Sequence, residues 1–178
     1  ASSVPGLPQA EPSLKITYVQ PKDFTGLLRY VRNILVVTID PTAYTKVSVG
    51  YENNVWARGQ VVVSLKAPNT ESIVEYSKTH EKALVDFFVK VEMNRAIEQL
   101  QKEYSMVVMD NLKSDLNVML NAPANFTYYK DTTDFFWSSN NANTGRMDLI
   151  VYTFPYTDPN TFTEEYLVAK RDSVLKAN

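Results

Sequence analysis

Apolar residues recur along this chain with two periods, and the longest stretch has the helical one. Asn69 to Tyr104 (NTESIVEYSKTHEKALVDFFVKVEMNRAIEQLQKEY) contains neither Pro nor Gly and opens on a capping asparagine after Pro68. That predicts a helix long enough to be the spine of the fold. At about 100° per residue, Ile73, Tyr76, His80, Leu84, Phe87, Phe88 and Val91 share one face. Met93, Ile97, Leu100 and Tyr104 then fall on nearly the opposite face, with Glu92, Asn94, Arg95 and Glu98 as a polar band between. A helix lying on one sheet keeps a single stripe. This one either bends between Val91 and Asn94 or is gripped from two sides. Nothing in the stretch supplies a kink, so two clients are expected. Leu84, Phe87, Phe88 and Val91 would be buried against one group of elements, and Met93, Ile97, Leu100 and Tyr104 against another.

Around the spine the pattern is mostly of strand type. Ala1 to Pro12 holds three prolines and a glycine and reads as an irregular lead-in. Leu14, Ile16 and Tyr18 alternate with polar residues as a short strand, and Pro21 to Arg32 has helical spacing. Ile34 to Ile39 (ILVVTI), stopped by Asp40-Pro41, reads as a central strand buried on both faces. Lys46 to Glu52 and Gln60 to Lys66 form a hairpin across Asn53-Asn54. Beyond the spine, Met106 to Ser114 is helical, Leu116 to Leu120 is a strand, and Phe126 to Tyr129 extends it or forms an edge piece. Phe135 to Ser138 and Arg146 to Phe154 make a second hairpin, and Asn160 caps a last helix to Lys176 with Phe162, Tyr166, Leu167, Val174 and Leu175 mostly on one side.

The two halves follow one order: helix, apolar strand closed by Pro41 or Pro123, hairpin with paired asparagines, glycine, then Pro-Asn-Thr opening a helix. A duplicated αβββ unit sharing the spine helix explains both the order and the two apolar faces. The expected architecture is a single α+β domain over 1–178, with a largely antiparallel sheet, packed helices, and halves of about 14–104 and 105–178.

Composition narrows the chemistry. The 178 residues carry a formal net charge of −2, which argues against a general nucleic-acid binder. The absence of cysteine removes thiol nucleophiles and thiolate metal sites, and one histidine rules out multi-histidine metal sites. No apolar run reaches the roughly 20 residues that span a bilayer, and no signal peptide lies within these residues. No cofactor, metal or catalytic set is expected. His80 sits on an apolar helix face as a structural residue. Ser173 to Lys176 fits S-x-x-K without its companion motifs. Asp131 with Asp134, and Asp158 with Glu164, serve turns and caps. Two candidate ligand-binding sets remain. One is the polar band Glu92, Asn94 and Arg95, whose bland reading is a solvated or ion-paired stripe. The other is the aromatic density of Tyr128, Tyr129, Phe136, Trp137, Tyr152 and Tyr156, neighbours of Phe135 and Phe154. Such rings usually fill a core, but alternate ones on a hairpin must face outward, where they can stack on sugar rings or peptides.

The strings PGLPQAEP, YVRNILVVTID, YTKVSV, WARGQ, KVEMNRAIEQLQ, LNAP, DTTDFFWSSNNANTGRMD and YTFPYTDPNTFTEEYLVAKRDSVLKAN together resemble the Bacteroidetes envelope proteins grouped as domain of unknown function 4837, over nearly the whole chain. The resemblance implies a lipoprotein whose signal peptide and lipidated cysteine lie outside this chain, which would be a middle segment of a longer mature protein. Its place would be the periplasm-facing side of the envelope or the outer membrane, with membrane contact only through that lipid. It carries no catalytic residues with it. The function expected is an envelope-facing binding or structural module for a glycan, peptide or protein. The rival is a hydrolase-like envelope enzyme whose site is completed by segments outside this chain.

Overall fold

Val61–Ala67 (β3; Val-Val-Val-Ser-Leu-Lys-Ala) lies between two other strands, and that position explains its composition. Asn33–Ile39 (β1) pairs with it in parallel, and Ser48–Asn53 (β2) pairs with it antiparallel, giving the order β1-β3-β2. β-Branched side chains suit a pleated surface packed on both sides. In the computed structural model, which describes residues 11–178, the chain divides into two compact units between Glu98 and Gln99. The first ten residues of the expected lead-in fall outside the described part.

Ile34–Ile39 is therefore an edge strand, not the central one its sequence predicts. A hairpin already joins β2 to one side of β3, and β1, running parallel to β3, takes the other side. Both partners fall to β3, which is buried almost throughout. On β1, Leu35, Val37 and Ile39 remain 44%, 47% and 46% exposed.

The β2–β3 hairpin turns through Asn54 and Gly59, both with positive φ (59° and 76°), a region closed to most side chains. The Asn54 Oδ1 accepts from the Gly59 amide at 2.6 Å, and the Asn54 amide donates to the Gln60 carbonyl at 2.8 Å. Gln60 is fully buried and fully satisfied. Its Nε2 donates to the carbonyls of Arg29 (2.6 Å) and Val31 (2.7 Å), and its Oε1 accepts from the Trp56 amide at 3.0 Å. The expected helix over Pro21–Arg32 is instead two short 3-10 turns, Pro21–Asp23 and Gly26–Tyr30. Phe24 and extended Thr25 separate them, and the second opens on left-handed Gly26 (φ 52°). The expected strand at Leu14 to Tyr18 has no strand partner among the described residues. Leu14 packs on the core while Ile16 and Tyr18 face water.

The spine exists as Thr70–Lys102 (α1), capped by the Asn69 side chain, which accepts from the Ser72 amide at 2.9 Å. Phe88 is buried against Val61 and Val63, with Phe87, Val91 and Leu14 packed around them. The rings of Phe87 and Tyr51 lie 5.2 Å apart. The expected second stripe is not buried along its length. Met93 and Ile97 are 59% and 49% exposed, while Leu100 and Tyr104 are half-buried. The side of the helix that carries Met93 and Ile97 has no sheet of the first unit against it, since this sheet's core is built on Phe88.

In the second unit, Met106–Leu116 (α2) starts at Ser105, whose hydroxyl accepts from the Val108 amide and donates to the Phe126 carbonyl. The helix runs through Leu116 and stops at left-handed Asn117 (φ 54°), where the Val118 amide folds back onto the Leu112 carbonyl at 3.1 Å. That stop converts the expected strand Leu116 to Leu120 into a helix end and a loop. Tyr128–Thr132 (β4), Phe135–Ser139 (β5) and Asp148–Tyr152 (β6) form an antiparallel meander in the order β4-β5-β6. Val108, Leu112, Ala122, Phe126 and Phe136 form its core, joined by Leu116, Leu149 and Val151. The last helix, Glu164–Ala177 (α3), is capped by Thr163 and not by Asn160. Asn160 lies in a 3-10 turn capped by Asp158. On α3, Tyr166 meets Phe154 at 6.1 Å, but Leu167 and Leu175 are exposed, as is Phe162 ahead of the helix.

The molecule is thus α+β with mostly antiparallel sheets, and the halves share an element order. Their hairpin loops also share chemistry: Asn141 and Gly145 take positive φ (46° and 66°) as Asn54 and Gly59 do. The sheets themselves differ. The third strand is central and has a parallel neighbour in the first unit, whereas the second strand is central in an all-antiparallel second unit. The expected duplication does not extend to strand pairing.

These environments separate two substitutions on one helix. Phe88→Ala removes a buried ring from the first unit's core and is expected to cost about 3–5 kcal/mol. Ile97→Ala acts on an exposed position and should stay within about 0.5 kcal/mol. Chemical denaturation of both variants measures the difference, and equal losses would mean that the second stripe is buried after all.

Candidate functional site

The register of β4, β5 and β6 sorts the aromatic cluster onto two faces, because residues directly opposite in an antiparallel pair point the same way. One face holds Tyr129, Ser138 and Leu149 in one row and Asp131, Phe136 and Val151 in the next. It is the core face, and Phe136 is 2% exposed there, so a ligand cannot reach it. Tyr129 lies exposed at the rim of that face, stacked on Phe136 with centroids 6.3 Å apart. The other face holds the rows Tyr128–Ser139–Asp148, Lys130–Trp137–Ile150 and Thr132–Phe135–Tyr152.

That second face is covered at one end and open at the other. Near the Phe135 row, Tyr152 stacks on Phe154, Phe154 meets Tyr166 of α3, and Lys170 lies 5.0 Å above the Phe154 ring. Lys130 reaches the carbonyl of Asn178 at 3.0 Å. Toward the hairpin loop, Tyr128 is 55% exposed and Trp137 half-buried. They are diagonal neighbours, on the order of 7–8 Å apart between backbones.

Charged groups fix the Trp137 ring. Its Nε1 donates to Asp148 Oδ1 at 3.0 Å, and Arg146 grips the same carboxylate with Nε (3.0 Å to Oδ2) and Nη2 (3.0 Å to Oδ1). The Arg146 bonds hold the Asp148 carboxyl below its ordinary range, with bonds from Ser139 and Trp137 acting the same way and burial opposing them. The adjoining loop is tied down from within. Asn140 Oδ1 accepts from the Ala142 and Met147 amides, its Nδ2 donates to the Gly145 carbonyl, and Ser139 Oγ accepts from the Asn141 amide. Asp148 and Arg146 are absent from the sequence-based candidates. Their signal is the alternation Arg146-x-Asp148 leading into a strand, which puts both on one face.

Tyr156, the remaining aromatic candidate, is exposed in the connection to α3 and stacks on Phe162 at 5.4 Å, away from the Trp137 rows. The polar band of α1 is a clamp inside the first unit. Arg95 Nη1 donates to Asn33 Oδ1 and to Glu92 Oε1, both at 2.8 Å, and Asn33 Nδ2 donates to the same Glu92 oxygen at 2.6 Å. These bonds tie the helix to the start of β1. Asn94 points to solvent. His80 is exposed and stacked on Tyr76 at 4.0 Å.

One acidic pair does come together, though not the one singled out from sequence. Asp131 on β4 bonds to the carboxyl of Asp115 in the last turn of α2, while Asp134 accepts from the Thr153 hydroxyl at 3.3 Å. The Asp115 hydrogen bond raises the Asp131 pKa, with burial and the Asp115 charge adding to it. The crevice lined by Asn111, Asp115, Asp131 and Thr132 has no room for a water-sized group. Among the described residues no three or more His, Cys, Asp or Glu side chains group closely enough to hold a metal ion, and no helix is long and apolar enough to cross a membrane.

Two family models match the chain. Residues 1–101 match the family described as domain of unknown function (DUF8532), and residues 105–178 match the one described as domain of unknown function (DUF4837). The resemblance to the second family therefore reaches over the second half, not nearly the whole chain. No curated protein and no solved structure matches.

The acid pair has a measurable consequence. A carboxyl whose folded pKa is raised contributes stability below its unfolded pKa, and the contribution is lost as pH rises through the folded value. Raising the pH from about 4 to neutrality should therefore weaken the second unit as Asp131 ionises beside Asp115. Asp131→Asn should flatten that dependence and leave the protein more stable than the parent at pH 7. Thermal melts across this pH range check it, and a parent that gains stability relative to the variant on ionisation would contradict the pairing.

Proposed function

For a chain that belongs to the family described as domain of unknown function (DUF8532), we propose the role of a cell-envelope binding module whose second unit takes a glycan. The observation that carries this reading is the open end of the β4–β6 sheet. Tyr128 and Trp137 stand on one face, and the Trp137 ring is held by Asp148 and Arg146. A sugar ring offers an apolar face edged by hydroxyls, and a flat aromatic beside fixed charged donors and acceptors complements both parts. The tied-down loop favours the same reading, since a preordered site loses little entropy on binding.

The envelope placement, through a lipid anchor outside this chain, rests on the resemblance to lipoproteins of the DUF4837 type. Fractionation of the native protein tests it. The rival reading is a hydrolase-like enzyme whose site is completed by segments outside this chain; within the chain the acid pair Asp115–Asp131 borders a closed crevice, which favours the binder.

Titration of the chain with soluble peptidoglycan fragments and envelope oligosaccharides, followed by calorimetry or tryptophan fluorescence, tests the site. Trp137→Ala is expected to weaken binding about tenfold or more, the scale of one lost stacking contact with its buried area. Tyr129→Ala, on the other face, should bind as the parent does. Equal affinities for parent and Trp137→Ala across the panel would exclude this face as the site.

A further inference from the structure

We propose that β1 is a self-complementary edge through which two copies of this chain pair, antiparallel about a two-fold axis at Val36. The motive is an edge with none of the usual protection. Among the described residues four strands lie at sheet edges. β2 carries Gly50 and Glu52, β4 carries Lys130 and Asp131, and β6 opens on Asp148, whereas β1 is Asn-Ile-Leu-Val-Val-Thr-Ile with no charge, proline or glycine. Natural sheets blunt open edges with charge, proline or bulges. On the α1-facing side of β1, Leu35, Val37 and Ile39 stay half-exposed, while Val63, Leu65 and Ala67 beside them on β3 are buried.

Backbone geometry sets which residues can pair outward. The Arg32 carbonyl accepts from Val61 and the Asp40 amide donates to Ala67, so the even-numbered residues turn their polar backbone groups toward β3. The odd ones, Asn33, Leu35, Val37 and Ile39, turn theirs outward. A two-fold axis at Val36 then sets outward residues opposite outward residues: Leu35 opposite Val37 of the second copy, and Asn33 opposite its Ile39. All seven residues of the strand find a partner, and the apolar strips of the two copies join on one face.

Charge selects this register over its neighbours. One step beyond each end of the strand, Arg32 of one copy falls opposite Asp40 of the second, twice by symmetry. The Arg32 side chain is 71% exposed, and its contact with Glu92 is long, at 3.7 Å. Asp40 is partly exposed and held in its charged form by the Thr42 hydroxyl and amide. Shifting the axis by one residue either way puts Arg32 opposite Thr38, or Asp40 opposite Ile34, and loses both pairs. A seven-residue edge buries less than a standard interface of roughly 1,600 Å², so the dimer should be weak and concentration-dependent.

Sedimentation of the 178-residue chain should show the mass rising from 20.2 kDa toward twice that value with concentration. R32D and D40R, each alone, should weaken self-association about tenfold, as two pairs reverse their sign. Mixed together, they should form a heterodimer. Because the chain has no cysteine, a single introduced one reports self-contact directly. V36C lies at the axis, at a spacing of about 4.5 Å that a disulfide can close. L35C is offset to about 7–8 Å, which it cannot. Faster oxidative crosslinking of V36C than of L35C supports the register. A parent that stays monomeric throughout, single charge variants that associate like the parent, or equal crosslinking of the two cysteine variants would each overturn the proposal.

Discussion

The start of β1 is held from two sides, and the arrangement of the first unit depends on it. Gln60 holds the Arg29 and Val31 carbonyls from within the hairpin, while Arg95 and Glu92 hold Asn33 from the helix. A buried amide with every partner in place is stabilising, whereas the same group with one partner missing is costly. These bonds therefore favour one arrangement strongly: β1 enters beside β3, running the same way, with α1 fixed above the sheet by its third and fourth turns from the C-terminal end. Phe88 then has only one place to go, onto Val61 and Val63.

The second unit reaches order differently. Its core is a helix on one sheet face, with Val108 and Leu112 of α2 meeting Phe136, Leu149 and Val151. The candidate face lies on the other side of the same strands. Strand alternation thus divides a run such as Phe135-Phe136-Trp137 between a covered ring, a core ring and a presented one. Asp148 belongs to both jobs, closing the hairpin through Arg146 and setting the Trp137 ring. The site is as rigid as the loop that carries it.

Periodicity made the long helix, both hairpins and the α2 region legible, because each has a strong local signal: no breaker for over thirty residues, or paired asparagines ahead of a glycine. Leu116 to Leu120 misled because its apolar run is split by Asn117, a residue that tolerates the left-handed region and ends helices. The candidate face was half legible. Tyr128 and Trp137 could be named from composition, but their separation from Phe136 needs the register. The Asp115–Asp131 contact joins residues sixteen positions apart through tertiary packing, and no local spacing announces it.

The misplacement of β1 has a physical source that bears on the whole molecule. Ile34 to Ile39 has the composition of a strand with neighbours on both edges and cover on both faces. Among the described residues of the first unit it has one neighbour, and the three side chains on its α1 side are only half covered. The spine helix shows the same mismatch at Met93 and Ile97, apolar residues that the unit leaves in water. Burial of a large apolar side chain is worth roughly 1.5–3 kcal/mol, so leaving several of them uncovered forgoes a free energy comparable to the net stability of a small domain. The two mismatches differ in kind. Exposed helix side chains leave no backbone group without a hydrogen bond, whereas β1 also presents the N–H and C=O groups of alternate residues along its open edge. Only another strand satisfies both the side chains and the backbone of such an edge, so a composition suited to a central strand acquires a physical role when the edge is extended.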